Sequence, residues 1–354
     1  MKPSLIAAVL LAALVAAGCA PLQPYRTVPP VAVYDPSGPC DPSPPGAAPD
    51  DAVGRVPAAC AERMREDARA YRLYFTEFDD QGWPFPGAAG EQSKELFKGL
   101  ETLLDDEPES LFSVVVFVHG WKHGAAFDDN NVRAFRTLLA SLKEVEDLKG
   151  VACQRKVVGL YVGWRGSGSA LGEPFENLTF YSRKSAAQKV AQGNVRLVFS
   201  KLRALQDSAN TAWNAQVQAE ITSRLQTAAA ARSAATVASV QGAKGASQQA
   251  PQQLDTCRRR MRLSIAGHSF GGLIVYTALA QSLIKDLMEL RQAEDAAAGS
   301  GTARPPISRE GDLVVVINPA IEATRYDPLY RAATEAPLPH YHPPLFVALT
   351  STDD

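Results

Sequence analysis

Short, almost uninterrupted apolar runs alternate with longer amphipathic stretches along most of this 354-residue chain, and that alternation is the strongest constraint on its fold. Phe112 to Val118, Val157 to Val162, Leu263 to Ala266, Leu313 to Ile317 and Leu345 to Leu349 consist mainly of Val, Leu, Ile and Phe. A strand that is apolar at every position has both faces covered, the condition of a parallel sheet between helical layers. The intervening stretches read as helices. Leu96, Leu100, Leu103 and Leu104 recur at helical spacing within Glu91 to Leu104, and Val132, Phe135, Leu138, Leu139, Leu142 and Val145 form one face of a second helix. Asp129, Asn130 and Asn131 are its candidate caps. Leu273 to Ile284 gives an apolar helix after the third run. Tyr71 to Phe78 alternates as a strand, and Asp79-Asp80-Gln81-Gly82 supplies a turn before Trp83, which predicts a β-hairpin opening the domain. The expectation is an α/β fold with a mostly parallel sheet, in one domain with insertions.

Between about 166 and 253 the pattern breaks into a polar, Ala-rich insertion. Val190 to Leu225 reads as helical, and Ala228 to Gln253 as a low-complexity run of Ala, Gly, Ser and Gln. Such a segment is either a lid over the strand ends or a surface excursion, and composition does not choose between them.

The chemistry concentrates in Gly267-His268-Ser269-Phe270-Gly271-Gly272, a G-x-S-x-G motif where a predicted strand meets a predicted helix. That context matters because the tight turn forces the serine into a strained backbone conformation, and glycines on both sides let the chain pass without clashes. Ser269 is the candidate nucleophile. An oxyanion hole needs two backbone donors, one from the residue after the nucleophile and one from the loop after an earlier strand. Phe270 supplies the first. His119-Gly120 ends the Phe112 to Val118 run and points to Trp121 as the second, with His119 bracing the loop rather than acting as base.

These segments, with Gly159-Leu160-Tyr161-Val162-Gly163-Trp164-Arg165-Gly166 and Val316-Ile317-Asn318-Pro319-Ala320, resemble bacterial α/β-hydrolase fold proteins of the esterase and lipase kind, from about Tyr71 onward. The resemblance implies a serine hydrolase cleaving carboxylic esters, with no cofactor and no metal. It also implies an acid after one of the last strands. The position after the strand following the motif reads Asn318, whose amide cannot stabilise an imidazolium as a carboxylate does, with Glu322 close by as a weak substitute. Family spacing fits best at Asp354, with Asp353 behind it. The family order is Ser, acid, His, and His119, His123, His268, His340 and His342 all precede Asp354. The expectation is a domain lacking its last strand, helix and catalytic histidine, with His340 and His342 as the fallback base. Trp121 and Trp164 either line an acyl pocket or fill the core.

The amino terminus carries Lys2 and an apolar run from Leu5 to Ala17, too short for a membrane span of about 20 residues but fitting a signal peptide. Ala16-Ala17-Gly18-Cys19 resembles a lipobox, with residues 1–19 as the leader and Cys19 as the lipidated residue. Several acyl chains on Cys19 anchor a protein stably. Ala20 instead of Asp points to the outer rather than the inner membrane. The stretch from 20 to 62, rich in Pro, Ala, Gly and Asp, reads as an extended tether that holds the domain (63–354) away from the bilayer. Outside the cytoplasm thiols usually end as disulfides, and Cys40, Cys60, Cys153 and Cys257 make an even set. The expected pairs are Cys153 with Cys257, both just ahead of neighbouring strands, and Cys40 with Cys60.

A formal net charge of -2 excludes the basic footprint of nucleic-acid binding, and Arg258, Arg259, Arg260 and Arg262 read as a solvated face. Three functions stay open: a lipid-anchored esterase or lipase acting on a small-molecule or lipid ester, a non-catalytic envelope lipoprotein using the fold to bind, and an acyltransferase.

Overall fold

The computed structural model describes residues 22–30, 58–85, 88–149, 153–168, 175–234, 259–300, 312–335 and 344–351. Its centre is a seven-stranded mixed sheet in the order β1-β2-β4-β3-β5-β6-β7, with β1 (Arg65–Asp67), β2 (Tyr71–Phe78), β3 (Leu111–Val118), β4 (Arg155–Trp164), β5 (Met261–His268), β6 (Leu313–Ile317) and β7 (Phe346–Leu349). Every pairing is parallel except β1 with β2. The helices are α1 (Ala58–Ala61), α2 (Ala88–Asp106), α3 (Asn130–Asp147), α4 (Phe180–Gln192), α5 (Val195–Ala234), α6 (Phe270–Ser300) and α7 (Ala323–Thr334).

The continuous apolar runs form the strands because side chains of both parities are buried. Tyr74, Leu160, Val116, Ile265 and Val314 share one register row and face a core built with α2, α4, α5 and α6. Phe75, Tyr161 and Phe117 share the next row and face α3 through Phe135. Asp129 caps α3, its carboxylate accepting from the Asn131 N–H at 2.7 Å.

The opening hairpin differs from expectation. β2 pairs with the strand before it, Arg65 opposite Tyr74, and the Asp79–Gly82 turn leads only to an isolated bridge between Phe78 and Pro84. The reason is that β4 occupies the other side of β2 along its whole length, from Tyr71 opposite Val157 to Phe78 opposite Trp164.

The segment after β4 is neither a lid nor an excursion over residues 180–209. Ala187, Val190, Val195, Phe199 and Leu202 of α4 and α5 are almost inaccessible and belong to the main core. Their helical spacing was legible; that a polar-looking segment supplies a core layer follows from small Ala side chains packing close to α6.

The tether reading also fails for its first part. Tyr25 and Arg26 donate their backbone N–H groups to the Glu77 carboxylate at 3.0 and 2.9 Å, and Val28 forms a bridge with Arg63. Arg26 is fully buried, its guanidinium 3.7 Å from the Phe75 ring centroid, 2.8 Å from Glu66 and donating to the Ala125 carbonyl at 2.8 Å. Burial raises the Glu66 carboxyl, but Arg136 and Arg26 outweigh it and hold it below the ordinary carboxylate range. A long cation that finds an anion, a carbonyl and a ring at one point stays docked, so residues 22–30 are part of the domain.

Arg262 is exposed as expected, but Arg259 and Arg260 of the basic run before β5 serve the fold. Arg259 pairs with Asp312, and Arg260 donates to the carbonyls of Leu104 and Glu107 at the end of α2. Arg258 lies outside the described residues. Among the described residues no helix is long and apolar enough to cross a membrane.

Candidate active site

Ser269 is the single residue between β5 and α6, and its backbone is left-handed, with φ 54°. Its N–H donates to the Ile317 carbonyl at 2.9 Å, and its own carbonyl accepts from Leu273 and Ala320, both at 3.1 Å. The serine is thus held by its backbone at the carboxyl edge of the sheet. A non-glycine residue in this conformation costs on the order of 1–2 kcal/mol and persists only where its surroundings over-determine it. Two close approaches do that here. A Cβ on Gly271 would overlap the Val118 carbonyl oxygen, and a Cβ on Gly120 would sit 3.1 Å from the Ser269 Cβ, so the loop after β3 passes in contact with the serine.

That loop is fixed from three sides. His119 is fully buried, its Nδ1 2.9 Å from the Gly120 carbonyl, and its Nε2 accepts the Trp164 backbone N–H at 3.0 Å. The two contacts set the tautomer with the proton on Nδ1. Burial pushes the His119 pKa down to about 4. Lys122, at φ 67°, donates its N–H to the Gly166 carbonyl at 3.2 Å, and Gly166 returns a bond to His123 at 3.2 Å. Gly124 is held by the Asp129 carboxylate, which also meets His123 Nδ1 at 3.1 Å. Burial raises Asp129, but His123 and the Gly124 N–H bring it below the ordinary range.

The walls are aromatic. Phe270 is fully buried, with ring centroids of Phe180, Trp121 and Trp164 at 5.1, 6.3 and 6.4 Å. Trp164 is core. Trp121 is partly buried, its indole N–H without a hydrogen-bond partner among the described residues, and Lys122 Nζ lies 4.5 Å from its ring centroid. The Phe270 N–H lies in the first turn of α6, where such groups have no intrahelical acceptor.

Of the expected site residues, Ser269, Phe270 and Trp121 come together here. Asp354, Asp353, His340, His342, Cys19, Cys40 and Cys257 lie outside the described residues. Cys60 and Cys153 are each disulfide-bonded. Asn318 sits beside Ser269 on the next strand end at φ 40°, its side-chain oxygen accepting the Ser351 N–H at 2.7 Å, so it ties β6 to β7. Glu322 is exposed, and its hydrogen bond from Lys184 at 2.8 Å holds its carboxyl below the ordinary range; Arg325 is a second partner at 3.0 Å. Among the described residues none is hydrogen-bonded to the Ser269 hydroxyl, and no three His, Cys, Asp or Glu side chains form a metal cluster.

Sequence reading missed three features at this edge: the His123–Asp129 pair, the Tyr25–Arg26 strap, and Asp80 held by Arg165 and Arg183. Only the first had a local signal, the cap position of Asp129. Comparison with protein-family models, curated proteins and solved structures finds no match for this chain.

Proposed function

We propose that this chain is a serine hydrolase of the α/β-hydrolase class that cleaves carboxylic esters, attached to the cell envelope by a lipid on Cys19. The observation that carries the reading is the left-handed Ser269 between β5 and α6, with the Gly120 loop in contact with it. Ser269 Oγ attacks the ester carbonyl, its proton passes to a base, and the alcohol leaves with a proton to give an acyl-serine. Water then releases the acid by the reverse sequence. The developing oxyanion is received by the N–H groups of Phe270 and Trp121. His119 is excluded as the base because both ring nitrogens are committed and burial keeps it neutral. The acid is proposed at Asp354, and the base at a histidine outside the described residues.

A fluorophosphonate probe tests the reading. It should modify Ser269, identified by peptide mass spectrometry, and Ser269→Ala should abolish labelling; labelling that survives the substitution overturns the assignment. Absence of labelling in the complete chain would support the non-catalytic binding role. Anchoring is tested separately by Cys19→Ser, which should release the protein from membranes.

A further inference from the structure

Six of the twelve exposed large apolar side chains among the described residues, the exposed Trp and two of the three exposed Tyr among them, belong to segments at one edge of this molecule. Leu22, Tyr25, Trp83, Leu178, Tyr181 and Leu349 are 51, 45, 64, 82, 82 and 51 % exposed. All six belong to segments at the carboxyl edge of the sheet, where Ser269 lies. Trp83 follows the turn after β2, and Leu349 ends β7. Leu178 and Tyr181 flank Thr179, which packs against Gly168 after β4, and Phe180, whose ring packs on Trp121 and Phe270. The Tyr25 ring covers Gly124, where a Cβ would sit 2.9 Å from its Cε2. Exposed apolar side chains set along one edge suit a contact surface, and Trp and Tyr are the side chains that suit the boundary between water and lipid.

Several charges at this edge sit against opposite charges: Asp80 against Arg165 and Arg183, and Glu322 against Lys184 and Arg325. Bringing paired charges toward a low-dielectric phase costs far less than bringing isolated ones. The amino-terminal chain leads to the same place. The buried Arg26 fixes the strap whose Tyr25 lies on the loop beside Ser269, so the strap enters the domain at this edge. Only Ala20 and Pro21 separate Cys19 from Leu22, and three residues of chain span at most about 11 Å.

From this we infer that the carboxyl edge of the sheet is a lipid-docking surface, seated on the bilayer that holds the Cys19 acyl chains, and that Ser269 takes its ester from that bilayer rather than from solution. The inference rests on the anchoring and esterase readings for its substrate class, and on the exposed edge for its orientation. The strap turns a flexible leash into a short, fixed one, which brings the edge to the membrane instead of holding it away.

The full chain, acylated as it is exported, is reconstituted in phosphatidylcholine vesicles with or without brominated acyl chains, and tryptophan emission is compared. Brominated lipid should quench emission, and Trp83→Phe should remove most of the quenching. The double variant Leu178→Asp/Tyr181→Asp, altering two exposed side chains, should lose quenching while circular dichroism is unchanged. Equal emission in the two kinds of vesicle, or undiminished quenching in the double variant, overturns the inference. Mass spectrometry for acyl groups on Cys19 reports the anchor reading independently, and fluorophosphonate labelling reports Ser269. If Cys19 carries no lipid, the chain should still co-sediment with plain phosphatidylcholine vesicles, at least about tenfold more strongly than the double variant; no difference between them overturns the inference in that case as well.

Discussion

Trp164 holds His119 from both sides: its backbone N–H donates to His119 Nε2 at 3.0 Å, its indole N–H donates to the His119 carbonyl at 2.9 Å, and the rings stack at 5.6 Å with 7° between their planes. The pair locks the end of β3 to the end of β4, and the loop that begins at Gly120 inherits its position from that lock. Its cost is a histidine that cannot take up a second ring proton without losing the Trp164 contact.

The pH consequence follows from the sign of the shift. His119 has a folded pKa of about 4 against an ordinary 6.5, so the unfolded chain binds the extra proton first and stability is lost as pH falls from about 6.5 toward 4. The full span corresponds to about 3 kcal/mol. His119→Gln should be less stable than wild type at pH 7, yet lose less on acidification. Urea unfolding at pH 7 and pH 4.5 checks this; equal losses in both proteins would show that His119 does not carry the effect.

The strain at Ser269 predicts an order of stability among variants. Ser269→Ala keeps a Cβ at φ 54°, whereas Ser269→Gly removes it. Release of roughly 1–2 kcal/mol, less about 0.4–1 kcal/mol for the greater freedom of glycine when unfolded, leaves the Gly variant more stable than the Ala variant by up to about 1.6 kcal/mol. Both should be unlabelled by fluorophosphonate. An Ala variant as stable as the Gly variant in denaturant titrations would count against a strained elbow.

How much of this was readable beforehand depended on how local the cause was. Leu313 to Ile317 forms the expected strand to the residue, because continuous apolar character has one outcome in a sheet buried on both faces, and Tyr71 to Phe78 does so through its alternation. Ser269 was legible for a similar reason: the glycines it needs lie within three positions of it. Arg26 was not legible. Its partners Glu66, Phe75 and Arg136 lie 40 or more positions away, and nothing near Tyr25 distinguishes a buried strap from a tether. The core role of α4 escaped for the opposite reason, since Ala186, Ala187 and Ala191 look featureless in sequence and matter only once α6 lies against them.

Arg26 gives a prediction of its own. Arg26→Met keeps the volume against Phe75 but leaves the buried Glu66 with Arg136 alone. Removing one partner from a buried ion group costs about 3–5 kcal/mol. The variant should melt lower and become sensitive to proteolysis between 22 and 30, and adding Glu66→Gln should recover part of the loss. A single variant with wild-type stability would show that the strap does not hold the domain.

Two glycines of α6 should behave oppositely. On Gly271 a Cβ would overlap the Val118 carbonyl, so Gly271→Ala must push the β3 end away from the serine, with lower stability and lost Ser269 labelling. On Gly299 a Cβ meets nothing within 4 Å, and Gly299→Ala should be neutral or stabilising by at most about 1 kcal/mol. Equal melting temperatures for the two variants would remove the packing argument for the elbow.

The last prediction concerns Cys153, which is disulfide-bonded two residues ahead of β4. We expect its partner to be Cys257, four residues ahead of β5. β3 lies between these strands, and two interstrand spacings of about 4.8 Å exceed the roughly 7 Å between Cα atoms that a disulfide spans. The bridge is therefore expected between the approaches to the strands rather than across the sheet. It would enclose α4 and α5 in a loop of about a hundred residues, and by the chain-entropy model add on the order of 4 kcal/mol. Cys153→Ser and Cys257→Ser should then lower the melting temperature by similar amounts, and the double variant by no more than either alone. A non-reducing peptide map should give one linked peptide containing both cysteines. A map that joins Cys153 to Cys40 instead, or additive losses in the double variant, would refute the pairing.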